Sequence, residues 1–269
     1  MERPGLKWTC TARNGCATGR EGGGRVRILG NLAMSGISTI SENLERVREK
    51  ISDAARSAGR KPEEILLIGV SKTHPAEAVR AAYAAGLRHF GENRVQEWEG
   101  KLPELGDLQG TWHLIGHLQS NKAARAAKAF HSIDSVDDWA LAQRLDRAQA
   151  EKRSGEKLRV LIEVHLGGEK SKSGVNEAEL PALAERVVGC GDLQLAGLMC
   201  IPPFRENPEE ARPFFARLRE LRDALEPRLG IRLPVLSMGM SHDFAVAIQE
   251  GATEVRVGTA IFGTRGRAA

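Results

Sequence analysis

Residues 65–75 read ILLIGVSKTHP. The first six, ILLIGV (65–70), are a β-branched apolar run short enough to be a buried strand. A helix is predicted to begin near Pro75 and to close at Gly86. The same alternation then repeats along the chain. Strand-like segments fall at 88–91 (RHFG), 112–115 (WHLI), 131–134 (HSID), 159–165 (RVLIEVH), 194–200 (QLAGLMC), 235–238 (VLSM) and 255–257 (VRV). Helical patterns separate them, at about 93–101, 120–129, 137–153, 177–189, 208–228 and 241–250. Near-continuous apolar strands alternating with helices imply a parallel sheet covered by helices. Eight such units predict a single (β/α)8 TIM-like barrel, with a doubly wound open sheet as the competing architecture. No Gly-x-Gly-x-x-Gly follows the first strand, which removes the main dinucleotide signal.

Working outward, Ile40, Leu44, Val47, Ile51 and Ala55 recur at helical spacing behind the N-caps Ser38 and Ser41, and Gly59 ends that helix. Residues 1–33 contain seven glycines and no apolar periodicity. They read as a disordered leader (1–35), with Met34 as the expected native start and the barrel occupying 36–266. The chain has 269 residues, a formal charge of +4 and a pI near 9.0. Residues 1–33 carry six basic and two acidic groups, leaving 33 of each sign in the rest. The basic excess therefore belongs to the leader, and nucleic acid is not an expected partner. The Arg-rich segment 208–228 also carries acids and Phe214, Phe215, Leu218, Leu221 and Leu225, so it reads as a solvated outer helix. No run approaches the roughly 20 apolar residues of a membrane span. Cys190 and Cys200 sit in apolar segments and read as reduced core residues, which fits a cytoplasmic protein.

In a parallel barrel the reactive groups gather at the carboxyl ends of the strands. There the sequence places Ser71-Lys72-Thr73-His74, Gly91-Glu92-Asn93, His117, Asp134-Ser135, SMGMSHD (237–243) and VGTAIFG (257–263). Lys72 directly follows the first strand. Partial desolvation at a barrel mouth can free its amine to attack a carbonyl. Hydroxyls from Ser237 to Ser241 and backbone N–H groups at Gly258-Thr259 suit a phosphate, which barrels often bind between the last two strands. Together they suggest a phosphorylated aldehyde, either pyridoxal phosphate or a sugar phosphate handled by an aldolase. Arg256 lies in the last strand and can point inward. Its partner is then a pyridine nitrogen or an internal carboxylate, Glu163 or Glu92. His113 and His117 straddle a strand end rather than sharing a helix face, so they read as structural. Trp98, Trp112 and Trp139 read as packing.

The motifs VSKTHP (70–75), FGENRVQE (90–97), WHLIGHLQSNK (112–122), SIDS (132–135), EKSKSG (169–174), GLMCIPP (197–203), LSMGMSHD (236–243) and VRVGTAIFG (255–263) resemble those of the pyridoxal phosphate homeostasis proteins. The resemblance runs from about residue 38 to residue 265. It implies the barrel of the alanine racemase N-terminal type, with pyridoxal 5'-phosphate as cofactor. Lys72 would hold it as a Schiff base and Arg256 would face the pyridine nitrogen. Ser237, Gly258 and Thr259 would hold the phosphate, and Asn93 would lie beside the ring. Arg94 departs from the aromatic that relatives commonly carry there, which concerns local packing. Lys170 and Lys172 are offered as secondary contacts, with solvation as the plainer reading.

Racemisation needs a proton-transfer group on each face of the substrate carbon. In alanine racemase the second is a tyrosine from a further domain. Here the one tyrosine is Tyr83, inside the second helix, and seven residues follow Phe262. Arg at the ring nitrogen also weakens the electron sink. The expectation is a cytoplasmic, monomeric, non-catalytic carrier that buffers pyridoxal phosphate or delivers it to dependent apoenzymes. A pyridoxal phosphate-dependent amino-acid racemase is the alternative.

Overall fold

The computed structural model describes residues 30–152, 155–167 and 173–263, with side chains from residue 39 onward. Eight parallel strands close into one barrel: β1 (Leu66–Val70), β2 (His89–Glu92), β3 (Thr111–Leu114), β4 (Ser132–Val136), β5 (Leu158–Glu163), β6 (Leu193–Met199), β7 (Val235–Met240) and β8 (Glu254–Val257). β8 pairs back onto β1, with Ile68 opposite Arg256. The expected barrel is present, and the open-sheet alternative falls with that closure. Around it lie α1 (Gly30–Ser57), α2 (Ala76–Ala84), α3 (Val95–Leu105), α4 (Ala123–Ala129), α5 (Trp139–Glu151), α6 (Leu180–Val188), α7 (Arg212–Leu229), α8 (Phe244–Gln249) and α9 (Thr259–Phe262).

Two elements differ from the sequence reading. α1 begins at Gly30, so the end of the segment read as leader is helical; residues 1–29 lie outside the described residues. α9 has no counterpart among the helical patterns of the sequence, because four residues are too few to display a helical period.

Strand alternation divides the core in two. Outward residues such as Phe90, Trp112 and Ile133 pack beneath the helices. Trp98 stacks on Trp112 with ring centroids 3.7 Å apart, and its indole N–H donates to Ala129 O at 2.9 Å. Trp139 is partly buried, with Arg186 over its ring, so all three tryptophans serve packing. On α7, Phe215, Leu218 and Leu225 are buried while Arg212, Arg217, Arg219, Arg222 and Arg228 each meet a carboxylate, as a solvated outer helix requires. Cys190 and Cys200 are buried free thiols, and burial pushes Cys200 up to about 12.

Inside, the amino ends of the strands carry a charged layer. Arg159 donates to Ser132 Oγ at 2.7 Å and pairs with Glu254, while Ser132 donates to Asp134. His113 Nδ1 lies 3.3 Å from Asp134 Oδ2, and its Nε2 lies 3.0 Å from His89 Nδ1. His113 thus has the structural role its position suggested. Burial, reinforced by His113 and Arg159, pushes the His89 imidazole down to about 4, against 6.5 when unfolded. Between those values the folded chain binds fewer protons, so His89 erodes stability as pH falls from about 6.5 to 4. The expected result is a His89→Gln variant whose melting temperature falls less steeply than wild type across that window. Parallel curves would remove His89 from the account.

Candidate functional site

The carboxyl end of β1 leads straight into the segment that carries Lys72. Ser71 is fully buried; its N–H donates to Gly91 O at 3.0 Å and its hydroxyl to Glu92 Oε1 at 2.8 Å. Lys72 is half-buried at the barrel mouth. Thr73 follows with φ of 66°, in the left-handed region, which for a β-branched residue costs on the order of 1–3 kcal/mol. Its N–H donates to Glu97 Oε1 on α3. Lys101, one turn further along α3, donates to Glu97 Oε1 at 3.0 Å, Glu92 Oε1 at 2.7 Å and Ser71 O at 2.9 Å. Burial raises the Glu92 carboxyl above the usual range although Lys101 and Ser71 oppose it. At Glu97 burial is outweighed, and the Thr73 N–H and Lys101 hold the carboxyl low.

β8 stands beside β1 and completes this side of the mouth. A Cβ on Gly258 would lie 3.4 Å from both Val70 O and Val70 Cβ, so the lysine segment and the Gly258-Thr259 segment adjoin. His74 stacks on Phe262 of α9 at 5.0 Å, which ties them again. At the start of α9 the N–H groups of Gly258 and Ala260 converge on Ser241 Oγ, at 3.2 and 3.4 Å. Of these donors, Gly258 is one that the sequence assigned to a phosphate; Ala260 stands in the same turn, one residue beyond Thr259. Gly239 (φ 92°) lets β7 approach α8 closely: a Cβ there would meet Ala247 Cβ at 2.6 Å.

Ser237 is placed differently from Ser241. It is fully buried, and its hydroxyl accepts from Arg256 Nη1 at 2.7 Å. Arg256, itself 3% exposed, also donates to Cys200 O at 2.9 Å. The carboxylate partners considered from sequence do not pair with it. Glu92 faces outward from β2 to Lys101, and Glu163 accepts from Ser173 Oγ at 3.4 Å. Burial and neighbouring Asp137 push Glu163 up to about 7. Arg256 is therefore a buried cation held by two neutral oxygens.

Asn93 leaves β2 beside Ile115-Gly116, and a Cβ on Gly116 would sit 2.5 Å from Asn93 O. Only glycine admits that approach. Asn93 borders a cavity of about 220 Å³ that is also lined by Gln96, His117 and Lys122. His117 is half-exposed, with Nδ1 3.3 Å from Asp137 Oδ2. Arg94 is exposed at the start of α3, so its departure from an aromatic disturbs no core. Lys170 and Lys172 lie outside the described residues.

The structure thus brings Lys72, Asn93, Arg256, Gly258 and Thr259 to one end of the barrel, with Ser237 under Arg256. Sequence reading missed the individual part of Ser241 and the whole of the Lys101 cluster. The donor set fits a phosphorylated aldehyde: an amine at the end of β1, converging N–H groups before α9, and a buried guanidinium beneath.

The fold and this mouth define a barrel of one known type. The sequence profile of the alanine racemase N-terminal domain matches residues 40–266. The chain is 50% identical over 230 residues to a pyridoxal phosphate homeostasis protein of Pseudomonas aeruginosa, covering 85% of this chain and 97% of that one. It is 46% identical over 224 residues to one of Aquifex aeolicus, covering 83% and 97%. The chain belongs to the pyridoxal phosphate homeostasis protein family. Among solved structures, PipY of Synechococcus elongatus with PLP bound superposes with a TM-score of 0.74 at 44% identity, covering 83% of this chain and all of that one. Alanine racemase of Corynebacterium glutamicum gives a TM-score of 0.63 at 18% identity, covering 85% of this chain and 62% of that one; this is a likeness of fold alone.

Proposed function

We propose that this chain binds pyridoxal 5'-phosphate in the barrel mouth and serves its homeostasis, buffering the cofactor or handing it to dependent apoenzymes. The observation that carries the reading is the convergence of a lysine, an N–H cradle and a buried arginine, in a family whose relative PipY has been solved with PLP bound. When bound, the cofactor supplies an aldehyde that a lysine amine captures, the carbonyl oxygen leaving as water. Lys72 would be that amine. Gly258, Thr259 and Ser241 would receive the phosphate at the start of α9, where N–H groups that converge on Ser241 Oγ favour an anion. Ser237 would hold Arg256, and Arg256 would donate to the ring nitrogen. Arg does not surrender its proton, so the ring would stay a weak electron sink. Asn93 would flank the ring.

Little or no catalysis belongs to the same proposal. Tyr83 sits on α2 with the Arg88 guanidinium 4.0 Å from its ring, outside the barrel rather than across from Lys72. No helix among the described residues is long and apolar enough to cross a membrane. A monomer in the cytoplasm, with the cofactor and its apoenzymes as partners, completes the reading. Titration of the purified chain with pyridoxal phosphate is expected to give the yellow colour of a lysine-bound aldehyde at one equivalent. Pyridoxal, which lacks the phosphate, should bind about 10- to 100-fold more weakly, as loss of one or two charge-assisted hydrogen bonds requires. A titration in which the absorption band of the free aldehyde never shifts, or substantial turnover of an amino acid by the loaded protein, would contradict the proposal.

A further inference from the structure

Lys101 and its carboxylates grip both backbone neighbours of Lys72. An ammonium has three N–H donors, and Lys101 commits all three: to Ser71 O, to Glu92 Oε1 and to Glu97 Oε1. Glu97 in turn accepts the N–H of Thr73, and Glu92 accepts the hydroxyl of Ser71. The residue before Lys72 and the residue after it are therefore held by one cluster on β2 and α3. The Lys101 side chain is 12% exposed and that of Glu92 is fully buried. A buried pair that only fastened α3 to the barrel would have no need of Ser71 O and the Thr73 N–H. It is also at Thr73 that the backbone takes its one left-handed non-glycine conformation among the described residues. Left-handed backbone at a β-branched residue persists only where surroundings over-determine it, and such strain concentrates at functional sites.

We infer that Lys101 and Glu97 are positioning residues for Lys72, holding the 71–73 segment so that the Lys72 amine faces the aldehyde of a phosphate-anchored ligand. This rests on the cofactor reading above and adds to it a second lysine, one that never touches the ligand. Without the Lys101 contacts, Ser71 O is left with the His74 N–H and Glu97 Oε1 with the Thr73 N–H, so the cluster no longer ties the two sides of Lys72 together and Thr73 relaxes toward ordinary backbone. The amine then samples orientations away from attack, while the cradle before α9 and the Arg256 pocket stay as they are. Capture should slow; anchoring should not weaken.

The test separates those two quantities. Pyridoxine 5'-phosphate, the alcohol analogue, has no aldehyde, so its dissociation constant reports the cradle and ring pocket alone. The rate at which pyridoxal 5'-phosphate becomes fixed, followed by colour and by the mass of the borohydride-reduced adduct, reports the amine. Lys101→Met is expected to bind the alcohol within about twofold of wild type and to capture the aldehyde about 10- to 100-fold more slowly, the usual consequence of ångström-scale misplacement. Lys101→Arg, which restores a cation with several donors, should recover most of the rate. If Lys101→Met does not fold, Glu97→Ala, at a side chain that is 23% exposed, breaks the same network from its rim and should show the same split. Unchanged capture in a folded variant, or equal losses in capture and in alcohol binding, would overturn the positioning role. A wild type that binds the alcohol but fixes no aldehyde would instead overturn the cofactor reading.

Discussion

Lys72→Ala is expected to fold as wild type does and to lose covalent capture of pyridoxal phosphate altogether. Lys72 follows β1 half-buried at the barrel mouth, beside the buried Ser71, whose hydroxyl bonds Glu92, and Thr73, whose N–H bonds Glu97. Truncating a half-buried side chain outside the core leaves the barrel ladder untouched, so stability should change by less than about 0.5–1 kcal/mol. The phosphate cradle and Arg256 also remain, so residual non-covalent binding is expected, with the absorption band of the free aldehyde in place of that of the lysine-bound form. A Lys72→Ala protein that still acquires the lysine-bound spectrum would place the amine elsewhere.

The second large effect concerns barrel closure. Gly197 on β6 faces Val235 of β7 in register, and a Cβ at Gly197 would lie 1.9 Å from Val235 O and 2.6 Å from Val235 C. That atom is backbone, fixed by the sheet, and cannot swing aside. Gly197→Ala must therefore push the two strands apart at the side of the barrel that carries Cys200 and Ser237, both partners of Arg256. The expected loss is about 3 kcal/mol or more by chemical denaturation, with weakened ligand binding as a secondary result. Gly191→Ala, where a Cβ meets nothing within 4 Å, serves as the control and should change stability by less than about 0.5 kcal/mol. Equal behaviour of the two variants would contradict the packing described for β6 and β7.

The eight strands were legible in the sequence because a parallel barrel buries both strand faces, and runs such as ILLIGV and RVLIEV advertise that burial without tertiary information. The mouth was legible for a related reason: chemistry must sit where strands end, which reduced the search to a few short loops. Lys72 and Arg256 both stand at such strand ends. What remained hidden depended on register and on neighbours in space. β7 shifts its pairing with β8 between Ser237 and Met240, so simple alternation could not show that Ser237 goes under Arg256 while Ser241 meets the start of α9. In the sequence nothing sets Lys101 apart from other charged residues on outer helices. The Glu97–Lys101 spacing of four was a readable sign of a pair, but its reach back to Ser71, thirty residues earlier, is a fact of the closed barrel. The inward layer of His89, His113, Asp134, Arg159 and Glu254 was equally out of reach, since strand alternation does not show which polar side chains from different strands meet inside the barrel.

The most direct test of the central claim is to load the purified chain with one equivalent of pyridoxal 5'-phosphate, reduce it with borohydride, digest it and locate the added mass. The account predicts the label on Lys72, in the peptide that follows β1. A label on any other lysine, or none after reduction, would contradict it.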